Sequence, residues 1–264
     1  MDDLPTEAEL EHLIQLEAAP HIPYPLEEVA LDFDVLGPSP SQSDHLEVLL
    51  AASRREEVEA LDDVLQLAGL DAQVVDIETL VLERSLALVC HQYDAAPGKS
   101  VALVDISHNR MTLSVFKDQH TLYRREQPLT GIQQSGVVPK PEVASDSGAL
   151  QLITDLEHSE NDQQHDISAQ LSPLIDVIQQ NLQFFYATSS SSSLEGVLLA
   201  GDHPALAALV EPLAQATGMT TALVDPVSNL ACAPAVNRHQ LINDSSALLV
   251  ACGLALRSFD YGHR

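Results

Sequence analysis

The chain has 264 residues, and 45% of them are apolar, enough length and enough hydrocarbon to bury a substantial core. Its 39 acidic side chains against 12 basic ones give a formal net charge of −27. That charge opposes binding to phosphate backbones and anionic lipid and excludes nucleic acid from the expected partners. No apolar run of about 18 residues is present, and Met1-Asp2-Asp3-Leu4-Pro5 is the opposite of the basic start of a secretory leader. Cys90, Cys232 and Cys252 are far apart among apolar neighbours, which suits buried thiols in a reducing compartment better than disulfides or a metal site. These features predict a cytoplasmic globular protein.

Leu10, Leu13, Ile14 and Leu16 recur at helical spacing behind Thr6, a residue suited to capping, so a first helix is expected over 6–18. Pro23 and Pro25 in His21-Ile22-Pro23-Tyr24-Pro25 end it. Val29, Leu31, Phe33 and Val35 then alternate with smaller or polar residues, the period of a half-buried strand. A turn at Gly37-Pro38-Ser39-Pro40 and a second strand through Leu46–Leu50 predict a hairpin. Val58, Leu61, Val64 and Leu65 mark a helix from Arg54 to Leu67 that Gly69 stops. A strand over Ala72–Val75 and a helix from Glu78 to Val89 complete a small sheet covered by helices.

Pro97-Gly98-Lys99 breaks the chain, and three short strands follow: Val101–Ile106, Met111–Lys117 and Thr121–Gln127, a meander. Residues 135–168 are rich in Gly, Pro, Ser, Asp and Gln, with one short helical pattern at Leu150–Leu156, and a mobile or poorly packed stretch is expected there. A long helix from Ala169 to Thr188 carries Leu171, Leu174, Ile175, Ile178, Leu182 and Phe185 on one face and ends in the serine run Ser189–Ser193. A strand over Gly196–Ala200, a helix over Pro204–Ala216, a strand over Thr221–Val224 and a final apolar helix over Ser246–Arg257 close the order. No Walker loop, nucleophile elbow, His-Glu-x-x-His or Cys-x-x-Cys occurs. The 11 histidines, among them His12, His21, His45, His91, His108 and His120, lack metal-ligand spacing.

Several of these segments together resemble one family. Ile22-Pro23-Tyr24-Pro25-Leu26-Glu27-Glu28-Val29 followed by Asp32-Phe33 is similar to the PilM signature at the start of its inserted subdomain. Val104-Asp105-Ile106, Thr112-Leu113-Ser114-Val115 and Leu182-Gln183-Phe184-Phe185 fall in that family's order, and Ala251-Cys252-Gly253-Leu254-Ala255-Leu256-Arg257-Ser258-Phe259 resembles its C-terminus. The resemblance implies an α/β, actin-like, FtsA-related fold of two lobes around a nucleotide cleft, with an inserted α/β subdomain and with the first strands of lobe 1 missing. Residues 1–76 correspond to the inserted subdomain, 77–98 to the return helix of the first lobe and a linker, and 99–264 to the second lobe.

By the same resemblance, the function is type IV pilus biogenesis. The protein would be a cytoplasmic scaffold, peripheral at the inner membrane through partners, that binds the N-terminal tail of PilN and links it to the pilus motor. Ile22, Pro23, Tyr24, Pro25 and Leu26 are the candidate partner-binding residues, with an acidic rim suited to an arginine-bearing tail. The implied cofactor is Mg-ATP, with Asp105 and Ser107 at the second-lobe phosphate turn, Gly201 and Asp202 at the adenine position, and Asp105 oriented toward hydrated magnesium. Ser107 and Asp202 stand where relatives carry glycine, and the first-lobe phosphate hairpin has no candidate in the chain. No catalytic residue and no ATP turnover are therefore expected. A lobe short of its leading strands would expose a sheet edge, with self-association as a consequence. The alternative is an ATP-binding actin-like protein, a full-length PilM or an FtsA-like division protein, whose upstream start has been lost.

Overall fold

The computed structural model describes residues 7–39, 42, 45–89, 98–107, 109–129, 160–189 and 193–260. The chain divides into two compact units, Met1–Ile77 and Glu78–Arg264.

In the first unit, helix α1 (Glu7–Ala18) buries Ile14 and Ala18 and leaves Leu13 and Leu16 in water. Two single turns of 3₁₀ helix, Ala19–His21 and Leu26–Glu28, carry the chain around its prolines into strand β1 (Val29–Pro38). β1 pairs antiparallel with β2 (Leu46–Arg54), setting Phe33 opposite Leu50 and Val35 opposite Val48. Apolar side chains thus meet across one face of the hairpin, the pairing that stabilises such ribbons. The register shifts between Val35 and Gly37, where Gly37 takes a φ of 124° that a side chain would resist. Helix α2 (Arg55–Leu67) ends in a Schellman turn: Gly69 at φ 75° donates to the Gln66 carbonyl at 2.9 Å, and the Leu70 N–H reaches back to Leu65, also at 2.9 Å.

Two expectations fail here. Ala72–Val75 is not a strand, because no ladder forms along it; Val74 and Val75 remain exposed. A β pattern without a partner edge gains no hydrogen bonds and stays irregular. The apolar face of α2 is also not absorbed by the hairpin: the helix has no buried residue, and Leu61 and Val64 stay 62% and 63% exposed.

The second unit starts with α3 (Glu78–Val89) and continues into the meander β3 (Ser100–Ser107), β4 (Arg110–Lys117) and β5 (His120–Pro128). The tight turn between β4 and β5 places both Asp118 (φ 49°) and Gln119 (φ 70°) in left-handed conformation, the geometry whose twist matches a two-residue hairpin. Helix α4 (Glu160–Thr188) follows, then β6 (Leu194–Ala200), α5 (Leu206–Thr217), β7 (Thr220–Leu223), the short α6 (Arg238–Asn243), a 3₁₀ turn Ser245–Leu248 and α7 (Leu249–Asp260). The α4 backbone is helical from Glu160, ahead of the expected start at Ala169. The rest of the 135–168 stretch, with the helical pattern at Leu150–Leu156, lies outside the described residues, as does Cys90. Cys232 and Cys252 are free thiols, half-exposed rather than buried.

Five strands form one mixed sheet in the order β5-β4-β3-β6-β7, with β3 parallel to β6 and antiparallel to β4. Side chains alternate across it. Ala102, Val104 and Ile106 of β3 pack with Leu174, Ile178 and Phe185 of α4 and Leu209 and Leu213 of α5. Leu103, with Leu198 of β6, faces Leu82 and Leu86 of α3 and Leu249 of α7. Covered on both faces, β3 and β6 read as nearly continuous apolar runs. On the α3 side, the Ser85 hydroxyl lies 2.8 Å from the Val81 carbonyl and 2.9 Å from that of Leu249, and Gly253 lets α7 close onto that hydroxyl. The open flank of β5 is partly closed by α3, whose Glu83 accepts the Thr121 N–H at 2.7 Å.

Candidate functional site

In open α/β sheets, ligand sites form outside the carboxyl ends of parallel strands. Here the parallel strands are β3, β6 and β7, and the first two bring the expected residues together. Their register sets Asp105 beside Ala200, so Ser107 on one strand and Gly201, Asp202 and His203 after the other converge. The four residues expected at a nucleotide site, Asp105, Ser107, Gly201 and Asp202, therefore share one corner of the fold.

The Ser107 hydroxyl donates to Asp105 Oδ1 at 2.6 Å. Burial pushes the Asp105 carboxyl above its ordinary value; the Ser107 hydrogen bond opposes this, Glu78 and Asp202 add to it as like charges, and Arg110 counters them. Gly201 has a φ of 115° and sits directly on the Ile106 backbone. Its N–H donates to the Ser246 carbonyl at 2.9 Å, and its carbonyl accepts from Ser246 Oγ at 3.1 Å. The His203 N–H donates to the Ile106 carbonyl at 3.2 Å, and the His203 Nδ1 accepts the Ala205 N–H at 3.2 Å. His203 and Ser246 were not singled out from the sequence. A histidine beside a glycine-aspartate pair gives only a faint signal, and Ser246 lies 45 positions away from its partner.

A nucleotide polyphosphate needs backbone N–H groups aimed outward and local positive charge. At this corner the Gly201 and His203 N–H groups are spent on protein carbonyls, and the like charges of Glu78 and Asp202 act on Asp105. The Arg110 guanidinium, the cation acting on Asp105, also pairs with Glu126 at 3.5 Å. The N–H groups of Gly201 and His203 are therefore not open to a phosphate. Among the described residues no group of three His, Cys, Asp or Glu side chains is placed to hold a metal.

His203 supplies a pH prediction. Burial lowers its pKa below the ordinary 6.5, with Asp202 pulling the other way. The unfolded chain therefore takes up a proton more readily than the folded one, so stability present above pH 6.5 is lost as pH falls through the folded value. Protonated Nδ1 also cannot accept from Ala205. Thermal unfolding followed between pH 7 and pH 5 is expected to show a smaller fall in Tm for His203→Asn, which keeps an acceptor but does not titrate, than for the unaltered chain.

The segment Ile22–Leu26 belongs to the first unit. Ile22 and Leu26 are half-buried, while Pro23, Tyr24 and Pro25 face solvent, Tyr24 being 42% exposed. Two consecutive arginines engage this segment and the residues that follow it. The Arg54 guanidinium lies 4.5 Å from the Tyr24 ring centre and pairs with Glu56 at 2.6 Å. Arg55 donates to the Val29 carbonyl at 2.9 Å and the Glu27 carbonyl at 3.4 Å. The result is an exposed aromatic and proline surface with Arg54 over its ring and with Glu27 and Glu28 exposed just after it in the chain.

Element order and the mixed sheet with helices on both of its faces define an α/β protein. The family described as type IV pilus assembly protein PilM matches residues 1–259, and the chain belongs to that family. A solved PilM-PilN type IV pilus biogenesis complex is 26% identical, covering 96% of this chain and 74% of that one, with a TM-score of 0.64. More distant likenesses are the ethanolamine utilization protein EutJ from Carboxydothermus hydrogenoformans (14% identity, 77% of this chain, 62% of that one, TM-score 0.45) and MreB 5 of Spiroplasma citri bound to AMPPNP (11%, 80%, 67%, 0.44). Among the described residues no helix is long and apolar enough to cross a membrane.

Proposed function

We propose that this protein is a non-enzymatic adaptor of type IV pilus biogenesis, binding the cytoplasmic N-terminal tail of PilN and linking it to the pilus motor. It would act in the cytoplasm and reach the inner membrane through that partner. The observation that carries this reading is the family match over nearly the whole chain, with a PilM-PilN complex as structural neighbour. Support for a role without ATP turnover comes from the β3/β6 corner, where the Gly201 and His203 N–H groups are committed and the Glu78 and Asp202 charges act on Asp105. The Ile22–Leu26 surface offers the tail an aromatic face and an acidic surround.

Titration of the protein with a labelled PilN N-terminal peptide, with and without Mg-ATP, tests this. Equal affinity in both conditions is the expected result, with Tyr24→Ala weakening binding about tenfold, equivalent to about 1.4 kcal/mol. Absence of binding at low salt, or binding only when Mg-ATP is present, would overturn it.

A further inference from the structure

Helix α2 is amphipathic, yet the unit that contains it leaves its apolar stripe in water. Leu61, Val64, Leu65 and Ala68 stand at i, i+3, i+4 and i+7, one continuous face. Leu61 and Val64 are mostly exposed, Leu65 is at 37%, and Ala68 at the helix end is exposed as well. An amphipathic stripe of this width suits a second helix laid along it.

Charge selects the occupant. Between Arg55 and Leu67 the helix carries Glu56, Glu57, Glu59, Asp62 and Asp63, and its one cation, Arg55, is turned onto the Val29 and Glu27 carbonyls. A second copy of this chain would set these carboxylates against their equals, with a net charge of −27 on each side. An anionic bilayer would meet the same repulsion. We propose that the α2 face docks an amphipathic helix of a partner protein, one with an apolar stripe flanked by lysine or arginine. This surface is separate from Ile22–Leu26 in sequence, and its occupancy does not depend on the tail-binding reading.

The test uses the full chain and a synthetic helical peptide with leucine at i, i+3, i+4 and i+7 and lysine at the flanking positions. A second peptide has the same composition with its leucines scattered around the helix. The expected result is salt-sensitive binding of the first peptide, at least about tenfold tighter than of the second, and a drop of about tenfold or more in Leu61→Glu/Val64→Glu. Because both positions already face water, that variant should keep its circular dichroism spectrum. Asp62→Lys/Asp63→Lys, which spares the stripe, is expected to flatten the salt dependence. Equal binding of both peptides would show unspecific attraction to an acidic protein and overturn the proposal. So would unchanged binding by the Leu61→Glu/Val64→Glu variant, or a dimer of the chain that this variant dissolves. Retention of PilN-peptide binding by the variant separates failure here from failure of the adaptor reading.

Discussion

Gly201→Val is expected to unfold the second unit at temperatures where the unaltered chain is stable. A Cβ at this position would overlap the Ile106 carbonyl oxygen and come within 2.7 Å of its carbon and 2.9 Å of its nitrogen. All three atoms belong to the backbone of central strand β3, which is held by β4 and β6 on either side. They cannot turn aside as a flexible side chain would. The φ of 115° adds strain that no L side chain relieves. The combined cost should reach about 4 kcal/mol or more, at the upper end of single-site effects, lowering Tm by roughly 10 °C in a unit of this size. Gly218→Ala serves as the comparison. Its φ is 68°, but nothing lies within 4 Å of the added carbon, so only the left-handed backbone is penalised, by about 1 kcal/mol. Differential scanning calorimetry of the two variants checks the prediction. Similar Tm values for both would mean that β3 and the β6 end are not in the contact described.

Gly253→Val carries the second large effect. Helices α3 and α7 cross here with a glycine on one side and Ser85 on the other. An added Cβ would collide with Ser85 Oγ and the Val81 carbonyl and lie 2.8 Å from Val81 Cγ1. Relief requires the helices to separate, which also breaks the Ser85–Leu249 hydrogen bond and opens the cluster around Leu82, Leu86 and Leu249. Overpacking of this kind costs about 3 kcal/mol. Ser85→Gly should restore part of the loss in Gly253→Ala, because it removes one of the two colliding atoms and leaves the Val81 carbonyl. A double-mutant cycle by urea denaturation reads this as a coupling that departs from additivity. Fully additive effects would place the two residues apart.

Periodicity and turn chemistry located most of the regular elements. The helix at Glu78–Val89 and the β3-β4-β5 meander stand where the apolar spacing puts them. Failures came where tertiary pairing decides. Ala72–Val75 has the composition of a strand but no edge to join, and Leu61 and Val64 form an apolar face that pattern alone would bury. The backbone of α4 starts at Glu160 rather than at the expected Ala169, a stretch where Asn161, Asp162, Asp166 and Ser168 are weak helix formers and no apolar period marks the helix. Helix α6 was passed over because it is only one or two turns long, although Asn237 caps it by accepting the Gln240 N–H at 3.3 Å. Asp105, Ser107, Gly201 and Asp202, singled out by the family motifs, lie together at one corner of the fold. The groups that engage them, Ser246 and the Ile106 carbonyl, were not legible in the sequence, since neither contact has a local sequence signature.

The α3–α7 crossing also governs the order in which this protein can be completed during synthesis. Ser85 and Leu249 are separated by 164 positions. At about 5–20 residues per second, a ribosome needs roughly 8 to 33 s to make that interval. Throughout it, Leu82, Leu86 and Val89 of α3 and the side of β3 that bears Leu103 wait without their C-terminal cover. The β1–β2 hairpin and α2, by contrast, are contiguous in sequence and can form as soon as they emerge. A nascent chain halted before residue 249 should therefore expose one apolar face of the sheet to chaperones and proteases, and release of the last helix is the event that closes it.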